Sequence, residues 1–377
     1  MLPYVRLNRC VVGLVRLTKI MRGILSTALA GALAMTGSTR AADVAPESVA
    51  ELETVLVTGE VPGPGLWKIT HGDHVLWILG SHGPLPKNMT WRAAEVERRI
   101  SESQQVIYPG DTDISPDIGM LRALSLLPTL LKAGKNPDGA KLQDVLPADT
   151  YAKWRPLKDK YIGRADGIEK WRPAIAADRL HRAAVRMSGL SYATNVAAVV
   201  DRIAKQHRVP VQVGRQIKRT VHVENPRGIL KSVQKMELPD AACLARMVDQ
   251  LEPEIEAMKA RANAWARGDV AALRALNGGV LRTEYCTRAL QNAMISGQIN
   301  TPEQARQAID AMTQAADQTS RQVEQDWIIA VREALDMNSS TFAVMPMRSL
   351  LAADGFLQRL RELGYGIEEP QDLGPAA

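Results

Sequence analysis

The chain has 377 residues, room for one large domain or two small ones, and a formal net charge of +6. That excess lies at the front: Arg6, Arg9, Arg16, Lys19, Arg22 and Arg40 precede the first acidic residue, Asp43, so basic and acidic residues balance over 42–377. A balanced body argues against a nucleic-acid binder, and nothing after the leader is long and apolar enough to cross a bilayer.

The leader contains "MRGILSTALAGALAMTGSTRAADV": a charged start at Met21–Arg22, an apolar run to Met35, then Thr39 and Ala41 at the −3 and −1 positions of a cleavage site. These features predict a secretory signal over residues 1–41, with 1–20 as an upstream extension, cleavage after Ala41, and a periplasmic or secreted protein. Two cysteines remain after its removal, Cys243 and Cys286. An even pair in an oxidising compartment predicts a disulfide.

Residues 42–65 read as a linker that ends in a Pro/Gly cluster. Folded structure is predicted from Leu66, where "LWKIT" and "HVLWILG" form two strands around the tight turn "HGD". His71 and His74 flank that turn and read as solvated. "TWRAAEVERRISESQQVIYPG" reads as a helix capped at Thr90, with Val96 and Ile100 on its apolar face, followed by a short strand. Residues about 117–207 are mostly helical, broken by Pro147, Pro156 and Pro173; Val209–Gly214 is a buried strand; about 239–336 is helical again. A strand in "STFAVMP", a helix in "DGFLQRLRELG" and a strand in "YGIEEP" close the chain. This order predicts a mixed α/β (α+β) domain over 66–377, a central mixed sheet flanked by helices, with the two helical stretches as insertions. His181, His207 and His222 stand among basic residues and read as solvated or helix-face positions. The sequence holds no Walker loop, dinucleotide fingerprint, CxxC or nucleophile elbow.

The stretch "LWKITHGDHVLWILGS", the pairs Leu85–Pro86 and Trp91–Arg92, and "TFAVMP" with "LLAADGFLQRLRELGYGIE" resemble the TraB/PrgY/GumN family, in its GumN-like branch, over roughly residues 66–370. The resemblance implies a fold similar to the Tiki metalloproteases and ChaN-like proteins. It also implies a metal site at strand ends, built from two Gly-x-x-His motifs and a glutamate. A divalent ion such as Mn or Zn needs His and carboxylate ligands with one position open for water, and a carboxylate nearby as general base. Matched onto this chain, the first motif gives Gly80 and Ser81 but sets Gly83 where the histidine belongs. His82 comes one residue early, which on an extended segment turns it to the opposite face. The glutamate position falls on Pro109, with Asp111 and Asp113 nearby, and the second histidine falls on Arg348, a permanent cation that ligates no metal. An Arg-Asn pair expected before Trp327 is Val323–Glu324.

These departures predict an exported protein with a degenerate metallohydrolase site at Gly80, Ser81, His82, Gly83, Pro109 and Arg348, with no cofactor and a non-catalytic binding or structural role in the envelope. The alternatives are a periplasmic metal-dependent (Mn or Zn) peptidase with a rearranged site and His82 as metal ligand, or a small-ligand carrier using a cleft at the strand ends. Expected partners are an envelope protein or a small anionic ligand drawn by Arg348, not nucleic acid. Gly80–Pro84 and Met345–Arg348 are expected to lie side by side, since both follow sheet strands.

Overall fold

The computed structural model describes residues 59–370 except 62, 92, 194, 195, 237, 277–289 and 354. The leader with its cleavage position, and Cys286, lie outside the described residues. Chain order runs β1 (Gly59–Val61), β2 (Leu66–His71), β3 (His74–Ser81), β4 (Leu85–Pro86), β5 (Met89–Trp91), α1 (Ala94–Ser101), β6 (Gln105–Tyr108), β7 (Thr112–Pro116) and α2 (Met120–Ala133). It continues through α3 (Ala148–Tyr161), α4 (Pro173–Met187), β8 (Leu190–Ser191), α5 (Val196–His207), β9 (Val211–Val213), β10 (Ile217–Val221) and α6 (Pro226–Lys235). The remainder holds α7 (Ala241–Arg267), α8 (Val270–Leu276), α9 (Glu303–Met337), β11 (Ser340–Pro346), α10 (Met347–Leu350), α11 (Phe356–Glu362) and β12 (Gly366–Glu368).

The centre is a mixed six-stranded sheet in the order β12–β2–β3–β11–β6–β9, flanked by helices as expected of the α/β class. β2 and β3 form the anticipated hairpin, with His71 opposite His74 and Gly72 at a positive φ of 61° in the turn, a conformation glycine adopts without strain. Trp67 and Ile69 of β2 point into the core, while Lys68 points out to an ion pair with Glu368 of β12 at 2.7 Å. β11 is central, and Thr341 to Met345 are all buried, the run expected of a strand covered on both faces. α9 packs along β2, β3 and β11, and α1 joins α5 to β11. A second layer sets α3 and α4 against α7, and its core, with Trp154 and Trp265, is continuous with that of the sheet.

The structure departs from expectation at several points. Thr90 does not cap a helix: it sits in β5, opposite Glu60 of β1, and α1 begins only at Ala94. Val96 and Ile100 are buried on α1 as expected. β9 is exposed at every residue rather than buried, because it is the last strand of the sheet with only β6 beside it. β7 and β10 form a separate parallel pair. β1 is strand structure ahead of Leu66.

Two histidines were also misjudged. His74 is half-buried and its Nδ1 meets the Leu335 carbonyl. His181 is buried on α4, where desolvation pushes its pKa down. His71 is exposed beside Tyr365, His207 pairs with Glu97 at 3.0 Å, and His222 is exposed.

Arg172, just ahead of α4, is buried and donates to the carbonyls of Ala133 (3.1 Å), Val233 (2.8 Å) and Met236 (3.0 Å). One guanidinium thus satisfies the carbonyl ends of both α2 and α6, where the helix dipoles favour a cation.

Candidate functional site at the strand ends

β3, β11, β6 and β9 run parallel, so their carboxyl ends share one edge of the sheet, where open α/β sheets place their ligands. The register sets Met345 opposite Gly80 and Pro346 opposite Ser81, which brings Gly80–Pro84 and Met345–Arg348 side by side as expected. Ser81 Oγ donates to the Met345 carbonyl at 3.3 Å. Gly80 has no room for a side chain: a Cβ there would lie 2.5 Å from Met347 Cε and 3.1 Å from Trp67 Cζ3. The Gly80 carbonyl accepts a 2.7 Å bond from the indole Nε1 of Trp265, a fully buried residue of α7. The Trp265 ring in turn meets Trp91 edge to face at 6.0 Å. These contacts lock the end of β3 to α7.

His82 follows directly, ahead of Gly83 and the cis Gly83–Pro84 peptide. Although the residue as a whole keeps some exposure, its Nε2 is buried and has no hydrogen-bond partner among the described residues. Desolvation first, and the positive charge of Arg261 second, push its pKa down to about 4. The imidazole is therefore neutral at neutral pH. Arg261 itself donates to the Glu254 carboxylate at 2.6 Å, both side chains buried, and to the Leu276 carbonyl at 3.3 Å. The surroundings of His82 thus include a buried ion pair on a long helix.

The other expected positions supply no ligand. Pro109 follows β6, and the backbone beside it packs against the end of β9: a Cβ on Gly110 would lie 2.3 Å from the Arg215 carbonyl oxygen, and one on Gly214 would lie 2.4 Å from the Gly110 nitrogen. Asp111 is exposed and its carboxylate accepts the Thr112 N–H at 2.8 Å; Asp113 lies in β7 opposite Lys218. Arg348 sits on α10, half-buried. Val323 is buried on α9, and Glu324 lies 3.6 Å from Arg359. Among the described residues no three His, Cys, Asp or Glu side chains come together where they could hold a metal ion. A divalent ion requires several lone-pair donors. This edge presents one imidazole, a proline, the Arg348 guanidinium and a Glu254 carboxylate already engaged by Arg261, and that donor set does not fit one.

Glu254, Arg261 and Trp265 were missed at the level of sequence. A signal was there: Glu254, Met258, Arg261 and Trp265 recur at i, i+4, i+7 and i+11, one stripe of a helix, beside the apolar positions Leu251, Ile255 and Ala262. An open groove of about 370 Å³ runs along α4, lined by Tyr161, Ile168, Arg179, Arg182 and Arg186, and not by residues of the strand ends.

Comparison with curated proteins and with solved structures finds no match. The sequence profile of the TraB/PrgY/gumN family matches residues 65–369, most of the chain and nearly the span of the resembling segments. The chain therefore belongs to the TraB/PrgY/gumN family.

Proposed function

We propose that the protein is an exported member of its family that acts in the envelope as a non-catalytic binding or structural protein, its strand-edge site no longer a metallohydrolase centre. The observation that carries this reading is the environment of His82: one neutral imidazole, with the cation Arg261 near enough to depress its pKa. A divalent ion needs several lone-pair donors, and this edge offers it the His82 imidazole alone, since the Glu254 carboxylate is engaged by Arg261 and the Pro109 position supplies no general base. Export is supported by the leader, and the oxidising compartment it implies supports a disulfide from Cys243, which is buried on α7, to Cys286.

A second reading, a carrier of a small anionic ligand, is favoured by the groove along α4. Arg179, Arg186 and Ile168 line it beside Arg182, which pairs with Asp178 at 2.8 Å, and guanidinium groups recognise carboxylates and phosphates by paired hydrogen bonds.

The test is hydrolysis of a mixed peptide pool by the purified protein with Mn²⁺ or Zn²⁺ added. The expected result is no cleavage above buffer, with the same outcome for His82→Ala. Metal-stimulated cleavage that disappears in His82→Ala would restore the peptidase reading.

A further inference from the structure

α2 buries little of its apolar surface. Leu126 and Ala133 are its buried residues, and it packs along α6. Leu127 is half-buried, and other apolar side chains face outward: Met120 is 80% exposed, Leu121 83%, Leu124 50% and Leu131 47%. Met120, Leu124, Leu127 and Leu131 follow one another at helical spacing along a single stripe.

This apolar stripe sits in a basic setting. α2 and α6 together carry Arg122, Lys132, Arg227, Lys231 and Lys235 and no Asp or Glu, in a chain whose residues 42–377 balance overall. Arg122 and Arg227 donate to backbone carbonyls, those of Glu224 (3.5 Å) and Ser125 (3.4 Å), and not to carboxylates. Lys132, Lys231 and Lys235 are exposed. The buried Arg172 holds both helices from beneath, so the face is presented by a fixed pair.

We propose that the α2–α6 face docks on an anionic lipid surface. Met120, Leu121 and Leu124 enter the headgroup–acyl boundary, and the exposed Lys132, Lys231 and Lys235 meet lipid phosphates. Charge argues against two other occupants: a second copy would set like charge against like, and so would residues 1–41, with six basic residues and no acidic one. Residues 42–58, with Asp43, Glu47, Glu51 and Glu53, would not, so a variant lacking 42–58 joins the test, and stronger binding to anionic vesicles by it would assign the face to that segment. A nucleic acid would leave the Met and Leu side chains unburied, and neither helix carries an aromatic ring on which a base could stack. The inference goes beyond the His82 reading and does not rest on it.

The test is co-sedimentation of the purified full chain with vesicles of phosphatidylcholine alone or of an equimolar mixture with phosphatidylglycerol. Two variants accompany it, Met120→Ser/Leu121→Ser/Leu124→Ser and Lys231→Glu/Lys235→Glu. All three proteins share the same N-terminus, so differences between them report on this face. The wild type is expected to partition onto the anionic vesicles at least about tenfold better than onto the neutral ones, at about a factor of five per engaged basic residue. High salt should weaken that preference. Each substitution variant is expected to lose roughly tenfold or more in anionic binding, at an unchanged unfolding midpoint because the altered side chains are exposed. Equal binding to both vesicle types, or substitution variants that bind as wild type does, would overturn the proposal. So would a dimer in sedimentation velocity that the Ser variant abolishes, which would assign the face to a second copy.

Discussion

Arg261→Met is expected to lower the stability of the protein by about 3–5 kcal/mol, because it takes a buried guanidinium from beside the buried Glu254 carboxylate. The two side chains are 2.6 Å apart and nearly inaccessible to water, so solvent cannot take over from the lost partner. The measurement is urea unfolding, where a fall in midpoint at constant slope reports stability rather than altered compactness. Replacing both partners, as Glu254→Leu with Arg261→Met, should recover much of the loss, since no unpaired charge remains. The single variant also removes the cation that depresses His82, so the His82 titration by NMR should move up toward 6.5. A cost below about 1 kcal/mol would be that of a solvated surface pair and would contradict a buried one.

The second large effect is on pH dependence. The His82 imidazole titrates near 6.5 in the unfolded chain and at about 4 in the folded one, so between these values the unfolded chain holds more protons. Stability from the neutral buried ring is therefore full above pH 6.5 and is lost as pH falls from 6.5 toward 4, by on the order of 3 kcal/mol in all. His181, whose pKa burial also lowers, acts in the same direction. Carboxylates titrate in the same window, so the test is a comparison. His82→Asn should show a pH profile of unfolding free energy that is flatter than wild type by that amount. Parallel profiles would show that the folded state admits the proton on His82.

The sheet was legible where burial writes itself into sequence. β2, β3 and β11 are apolar runs, and the family resemblance implied that the ends of β3 and β11 lie close together, as their pairing shows. β7 and β10 were not legible. "TDISP" and "IKRTV" are polar, and what makes them strands is their pairing across a long stretch of sequence. β9 looked buried because its residues are apolar, but its place at the rim is a matter of topology. Gly80, His82, Pro109 and Arg348 were set near strand ends by the family resemblance, and they follow β3, β6 and β11. The Glu254–Arg261 pair went unread although its spacing sets it on one stripe of the helix, because charges on a helix read as solvated until packing buries them. His181 misled for the same reason: its basic neighbours suggest solvent, while its own face of α4 lies in the core.

The most direct measurement is the metal content of the purified protein, dialysed against Mn²⁺ and Zn²⁺ and then against metal-free buffer, beside His82→Ala. The expected result is background metal in both proteins and a thermal midpoint that a chelator leaves unchanged. One bound ion per chain, lost in His82→Ala, together with a midpoint that falls on chelation, would contradict the account and make His82 a working ligand.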